Sequence, residues 1–199
     1  MIPMSKGQET KEAILDTAVA IASEVGLEAL SIGGLAKEVG LSKSGLFAHF
    51  ESKENLELEV LRTVVERFIR EGVAPALREP RGEPRVRALF DAWLEWTKAS
   101  SLPGGCLFIS SATELDDRPG PVRDYLVSQQ RDWHAALSKA AGIAVDEGHF
   151  RPGLDLDQFA FDLQAIILAY HYFARLMHDA RAESRTRRAF EALIQQSCS

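Results

Sequence analysis

Apolar residues recur along the chain with the three-to-four-residue spacing of helices, and no stretch alternates apolar with polar over the length of a strand. From Thr10 to Val25, the residues Ile14, Ala18, Ile21, Ala22 and Val25 share one face, while Lys11, Glu12, Asp16 and Glu24 fall elsewhere. The spacing predicts an amphipathic helix that Gly26 stops. Ser31 is placed to cap a short second helix with Ile32, Leu35, Ala36 and Val39 inward, and Gly40 is its left-handed stop. A third helix spans Ser42 to Phe50, with Ser42 as cap and Leu46 and Phe50 inward. A fourth begins near Ser52, and its apolar positions Leu56, Val60, Val64 and Phe68 run on toward Gly72.

The segment Pro75 to Pro84, rich in proline, glycine and charge, reads as a loop. Helical patterns return at Arg85 to Ser100, Cys106 to Leu115, Pro121 to Glu147, Asp155 to Met177 and Ser184 to Gln196. The expected fold class is all-α, with about nine helices. A three-helix domain over residues 1–54 would be followed by a larger helical bundle over residues 55–199.

Of 199 residues, 46% are hydrophobic, enough for a sizeable core. The stretches without a formal charge, Leu163 to Ala174 among them, are short of the roughly 20 residues of a membrane span, and neither end shows an export signal. These features read as a cytoplasmic protein without membrane partners. The two cysteines, Cys106 and Cys198, stand in no CxxC or Cys/His cluster, so no disulfide framework, metal site or cofactor is expected. A net charge of -6 argues against a protein that only coats nucleic acid, so any DNA contact must be local.

One local arrangement supplies it. Ala36, Gly40 and Leu46 have the spacing of a helix-turn-helix: a small residue where two helices cross, a glycine at the turn, an apolar anchor ten residues after the alanine. The third helix then turns Ser42, Lys43, Ser44, Gly45, Phe47 and His49 outward, mostly short or polar groups suited to phosphates and base edges in a major groove. Ser31 and Lys37 on the second helix belong to the same candidate interface. Lys53, in the first turn of the fourth helix, sets a cation beside amides that already favour phosphate. Lys6 and Lys11 extend the set, although residues 1–54 hold five lysines against eight acidic groups.

The run SIGGLAKEVGLSKSGLFAHFESKENL, Ser31 to Leu56, resembles the DNA-binding signature of the TetR family of repressors. The resemblance covers about the first quarter of the chain, and the later helices are similar to that family in number and order. It implies that Ser42, Lys43, Ser44, Gly45, Phe47 and His49 lie at double-stranded operator DNA, that Lys53 holds a phosphate, and that Leu46 and Phe50 are core. Two departures stand out. Phe47 occupies a position where the family usually has tyrosine, and Gly33-Gly34 weakens the second helix by roughly 1 kcal/mol per glycine relative to alanine.

Asp155 and Gln158 open the helix after them in the manner of a capping box. That helix is apolar on nearly every side, with Phe159, Phe161, Leu163, Ile166, Ile167, Leu168, Tyr170, Tyr172, Phe173, Leu176 and Met177. Such a helix is buried all round, either by a second copy of the chain or as the central helix of a solitary one. The homodimer reading assigns Phe159, Leu163, Ile167, Phe190, Leu193 and Ile194 to a four-helix interface. It would set two recognition helices about 34–36 Å apart, or near a multiple of that, to read one face of DNA.

The aromatics of these helices are ordinary core or the lining of an effector cavity. The candidates for the cavity are Phe68, Phe90, Trp93, Phe108, Gln129, Trp133, His134, Tyr170 and His171. Cys106 follows Pro103-Gly104-Gly105 at a helix N-terminus, where amides favour thiolate over thiol. It is either a small buried apolar residue or a sensor of reactive species, and the Gly-Cys step resembles a branch of the TetR family with such sensors. The expected function is a DNA-binding transcription regulator, a repressor released by a small molecule or by modification of Cys106. The alternative classes are a cysteine-dependent enzyme, with Cys106 as nucleophile and His134 or His171 as base, and an adaptor that binds only protein.

Overall fold

The computed structural model describes residues 6–99 and 101–198, and every regular element among them is helical. The elements are α1 (Lys6–Val25), α2 (Ile32–Glu38), α3 (Lys43–Phe50), α4 (Lys53–Phe68), α5 (Ala74–Ala76), α6 (Glu83–Trp96), α7 (Leu107–Leu115), α8 (Pro121–Asp146), α9 (Leu156–His171) and α10 (Ala182–Ser197). α5 is a single turn; the other nine match the expected number among the described residues. π-helical turns extend α4 over Ile69–Val73 and α9 over Tyr172–Leu176.

The chain divides into two compact units, Met1–Phe68 with Thr97–Val127, and Ile69–Trp96 with Ser128–Ser199. In the first, α1 packs against α4, and α7 packs against both. Ile14, Leu15, Ala18, Val19 and Ala22 of α1 are buried, as are Leu56, Val60, Leu61, Val64 and Phe68 of α4. Burial of each large side chain contributes roughly 1.5–3 kcal/mol. Val25, expected inward, is 56% exposed. It is the last residue of α1, and Gly26 at φ +93° turns the chain there.

The Pro103-Gly104-Gly105 loop approaches the end of α1 closely. The Gly104 amide donates to Ser23 Oγ at 3.0 Å, and a Cβ at residue 104 would collide with the Ser23 carbonyl. Only glycine fits that approach.

In the second unit α9 packs on α10, Phe90 stacks on Phe190 with centroids 3.9 Å apart, and Phe150 lies 5.4 Å from Phe159. Arg87 bridges Glu83 and Glu191. Gly82 precedes α6 and has no side chain to cap it, so His149 Nδ1 accepts the Glu83 amide instead, at 3.1 Å.

The expected loop at Pro75 to Pro84 is shorter than its composition suggests. Helical backbone continues to Ala76, and α6 starts at Glu83 with Pro84 in its first turn. Pro84 sits where a missing N–H leaves no helical hydrogen bond unmade, and Pro75 falls in the first turn of α5, directly after the π-helical turn.

Candidate nucleic-acid interface

The turn between α2 and α3 is built by one glycine. Gly40, at φ +69°, donates to the Lys37 carbonyl at 3.3 Å while the Leu41 amide reaches the Ala36 carbonyl at 2.9 Å. This paired closure ends α2 and redirects the chain. Ala36 and Leu46 are buried, so the two helices meet through the residues that the spacing nominated.

Both helices are capped from the residue before them. Ser31 Oγ accepts the Gly34 amide and Ser42 Oγ the Gly45 amide, each at 3.0 Å, and Ser42 Oγ lies 3.1 Å from Ser44 Oγ. A Cβ on residue 45 would sit 3.1 Å from the capping oxygen, so glycine leaves the cap room. α3 ends at Glu51, which takes a left-handed φ of 62°. Ser52 then accepts the Asn55 amide at 3.0 Å and opens α4.

Leu46 and Phe50 point into the core, which leaves Lys43, Ser44 and Phe47 on the outside, Phe47 at 52% exposure. Ser31, Lys37, Ser42 and Lys53 are exposed too, while Gly45 and His49 are half-buried, the His49 ring 6.3 Å from that of Phe50. Lys37 and Lys43 pair with no carboxylate among the described residues. The Lys6 side chain lies outside the described ones. Lys11 is engaged elsewhere: its ammonium is 2.6 Å from Glu59 and 5.7 Å from the centroid of the Phe50 ring. The hydrogen bond from Lys11 holds the Glu59 carboxyl below the ordinary carboxylate value.

Lys53 is engaged as well. Its ammonium donates to the Glu28 carbonyl and lies 3.4 Å from Glu57. Burial pushes the Glu57 carboxyl above its ordinary value, opposed by the Lys53 charge. The i,i+4 spacing of Lys53 and Glu57 is legible in the sequence, whereas the carbonyl of a residue 25 positions away is not.

The effector candidates divide between the units. In the first, Phe68 is buried, Phe108 is half-buried, and Cys106 is 2% exposed at the N-cap of α7 without a side-chain capping bond. In the second, Phe90 and Trp93 are buried, and Gln129, Trp133, His134, Tyr170 and His171 are half-buried. Trp93 meets Tyr170 edge-on with centroids 5.7 Å apart. The Gln129 amide is 3.3 Å from Ser128 Oγ. His134 lines an open surface groove of about 390 Å3 with Arg131, Ala135, Ser138, Lys139, Leu156 and Asp157. His171 Nε2 is buried without a hydrogen-bond partner, and burial followed by the Arg175 charge holds the imidazole below its ordinary value.

Phe159, Leu163, Ile167, Phe190, Leu193 and Ile194, expected at a dimer interface, are buried within the single chain. They are its own core. The outer apolar surface of the same helical segment consists of Phe161, Leu168, Tyr172, Phe173, Leu176 and Met177. A helix apolar on nearly every side does not announce which side its own chain covers.

Two family models match the chain: "Bacterial regulatory proteins, tetR family" over residues 14–60, and "Tetracyclin repressor-like, C-terminal domain" over residues 82–190. The chain is 26% identical over 166 residues to the HTH-type transcriptional repressor ComR of Escherichia coli, an alignment covering 83% of this chain and 79% of that one. A TetR transcriptional regulator from Chloroflexus aurantiacus has a TM-score of 0.83 at 27% identity, with 96% of each chain covered. The same fold recurs in AibR, solved in complex with isovaleryl coenzyme A and operator DNA, with a TM-score of 0.68 at 23% identity over 81% of this chain and 85% of that one. No helix among the described residues is long and apolar enough to cross a membrane. The reading as a cysteine-dependent enzyme finds no support in these relatives. The match at both ends, on a helix-turn-helix whose outward face is polar, makes the chain a DNA-binding transcription regulator of the TetR family.

Proposed function

We propose that the chain acts as a homodimeric repressor, with residues 1–54 as the DNA-binding domain and residues 55–199 as the effector-sensing and dimerisation domain. In this reading α3 enters the major groove, Lys43, Ser44, Phe47 and His49 face base edges and phosphates, and Ser31, Lys37, Ser42, Gly45 and Lys53 complete the contact. The observation that carries it is the division of α3 into a buried side, Leu46 and Phe50, and an exposed side with Lys43 and Phe47. The exposed apolar stripe of α9 and its π-helical extension, from Phe161 to Met177, is the surface on which a second copy fits.

A small-molecule effector acting on the C-terminal helices releases the operator, and a coupling of about 1–3 kcal/mol suffices. The AibR complex with an acyl thioester and DNA supports this division of labour. The groups available to an effector are Phe90, Trp93, Gln129, Trp133, His134, Tyr170 and His171 in the second unit, with Phe68, Cys106 and Phe108 in the first. Modification of Cys106 is the second route of release, and the position of the sulfur at the start of α7 favours it.

Selection of bound sequences from random duplex DNA tests the reading. Enrichment of a two-fold symmetric site, with half-sites about one helical turn apart, is the expected result. Lys43→Ala then weakens binding at that site, and Lys53→Ala weakens binding evenly across sequences while reducing the salt slope by about 1. Failure to enrich any duplex would overturn it. Mild peroxide lowers operator affinity of the unaltered chain; an equal loss in Cys106→Ser would assign release to a non-covalent effector.

A further inference from the structure

Every polar group of Glu28, in the α1–α2 loop, is engaged by a different part of the first unit. Its amide donates to Glu114 at the end of α7 at 3.0 Å, its carboxylate pairs with Arg118 beyond α7, and its carbonyl accepts the Lys53 ammonium. Lys53 also lies 3.4 Å from Glu57, whose side chain is 16% exposed. Glu28, Lys53, Glu57 and Arg118 line one groove of about 380 Å3, together with Glu54 and Arg123. The groove is open to a phosphate, but the cation best placed for one, at the N-terminus of α4, has two intrachain acceptors already.

We propose that Glu57 and the Glu28 carbonyl form an intrachain latch on the Lys53 ammonium that competes with a DNA phosphate, so that Glu57 lowers the affinity of this chain for DNA. An ammonium carries three protons. One goes to the Glu28 carbonyl, which Glu114 and Arg118 hold in place, and another faces Glu57. To engage a phosphate with full charge, Lys53 must leave Glu57, and the abandoned carboxylate then sits within a few ångströms of the phosphate it repels. Glu57 is thus a positioning residue for the phosphate contact, one that works against binding. The inference rests on the proposed phosphate role of Lys53.

The test is a double-mutant cycle on the full-length chain, with a fluorescent random-sequence duplex as probe, because a phosphate contact is independent of sequence. Glu57→Gln is expected to tighten binding roughly two- to fivefold, the range that partly exposed ion pairs command. Lys53→Ala weakens binding, and in that background Glu57→Gln gains clearly less than in the unaltered chain, only the direct repulsion between carboxylate and phosphate being left to relieve. Glu57→Asp, which keeps the charge but shortens the reach, gives an intermediate gain; matched melting midpoints establish that the variants fold. Unchanged or weaker binding by Glu57→Gln, beside an unaltered chain that binds, would overturn the latch alone. An equal gain with and without Lys53 would overturn it too, because Glu57 would then act on the duplex directly. If the unaltered chain binds no duplex, the regulator reading fails and the latch with it.

Discussion

Gly33, inside α2, and Gly40, just past its end, answer alanine in opposite directions. Gly33 lies inside α2 with open space where a Cβ would go, so Gly33→Ala is expected to stabilise the chain by about 1 kcal/mol through helix propensity. Gly40 has equally open space but a φ of +69°, so Gly40→Ala is expected to destabilise by about 1–2 kcal/mol through backbone strain alone. Urea midpoints of the two variants moving in the same direction would contradict this account. The role of Gly40 is legible in the sequence, because a glycine directly after an apolar-periodic run has few other reasons to be there. The engagement of Lys53 was only half legible. Glu57 stands on the same helix face four residues on, but the Glu28 carbonyl reaches Lys53 only because the α1–α2 loop is pinned by Glu114 and Arg118, residues far along the chain.

At the scale of the element, α3 depends on its cap. It has eight residues, too few to hold a helix in water by propensity, and Ser42 supplies the Gly45 amide of its first turn with a partner. Ser42→Ala is expected to cost about 1 kcal/mol of stability and Ser42→Asp to restore most of it. Circular dichroism melts with Ser42→Asp no better than Ser42→Ala would show that the cap does not support the helix. Helix identity was readable throughout because a 3.6-residue apolar period survives any packing. Boundaries were less so: Pro75 and Pro84 look like breakers in composition, yet each falls in a first turn where proline is tolerated. Likewise α10 begins at Ala182 rather than Ser184, since Arg181 opens it without a side-chain cap and Ser184 bonds back to the Arg181 carbonyl.

At the scale of the molecule, the inside and outside of α9 were the least readable feature. Its apolar residues nearly encircle it, and packing, on α10 and against Phe150 among others, decides that Phe159, Leu163 and Ile167 go inward while Phe161 and Leu168 stay out. Phe161→Glu is therefore expected to leave the fold intact and convert a dimer to single chains in sedimentation. A Phe161→Glu variant that sediments as a dimer would place the interface elsewhere. Acidity acts on the second unit through His171. Its folded form binds a proton less readily than the ordinary value of 6.5, so the unfolded chain takes up more protons as pH falls through that value. Stability is present above pH 6.5 and declines below it. The melting temperature of the unaltered chain should fall more steeply from about pH 7 to about pH 5 than that of His171→Phe, and parallel slopes would remove His171 from the account.

Gly104 touches α1 so closely that the segment just before Cys106 has no slack, and the sulfur itself is almost sealed from water. A thiol reagent therefore meets this atom only in the intervals when that segment lifts. Labelling speed should climb with reagent concentration and then level off, the plateau being the lifting frequency. Covalent tagging of one atom thus becomes a stopwatch for the breathing of the first unit, the one that also holds the helix-turn-helix.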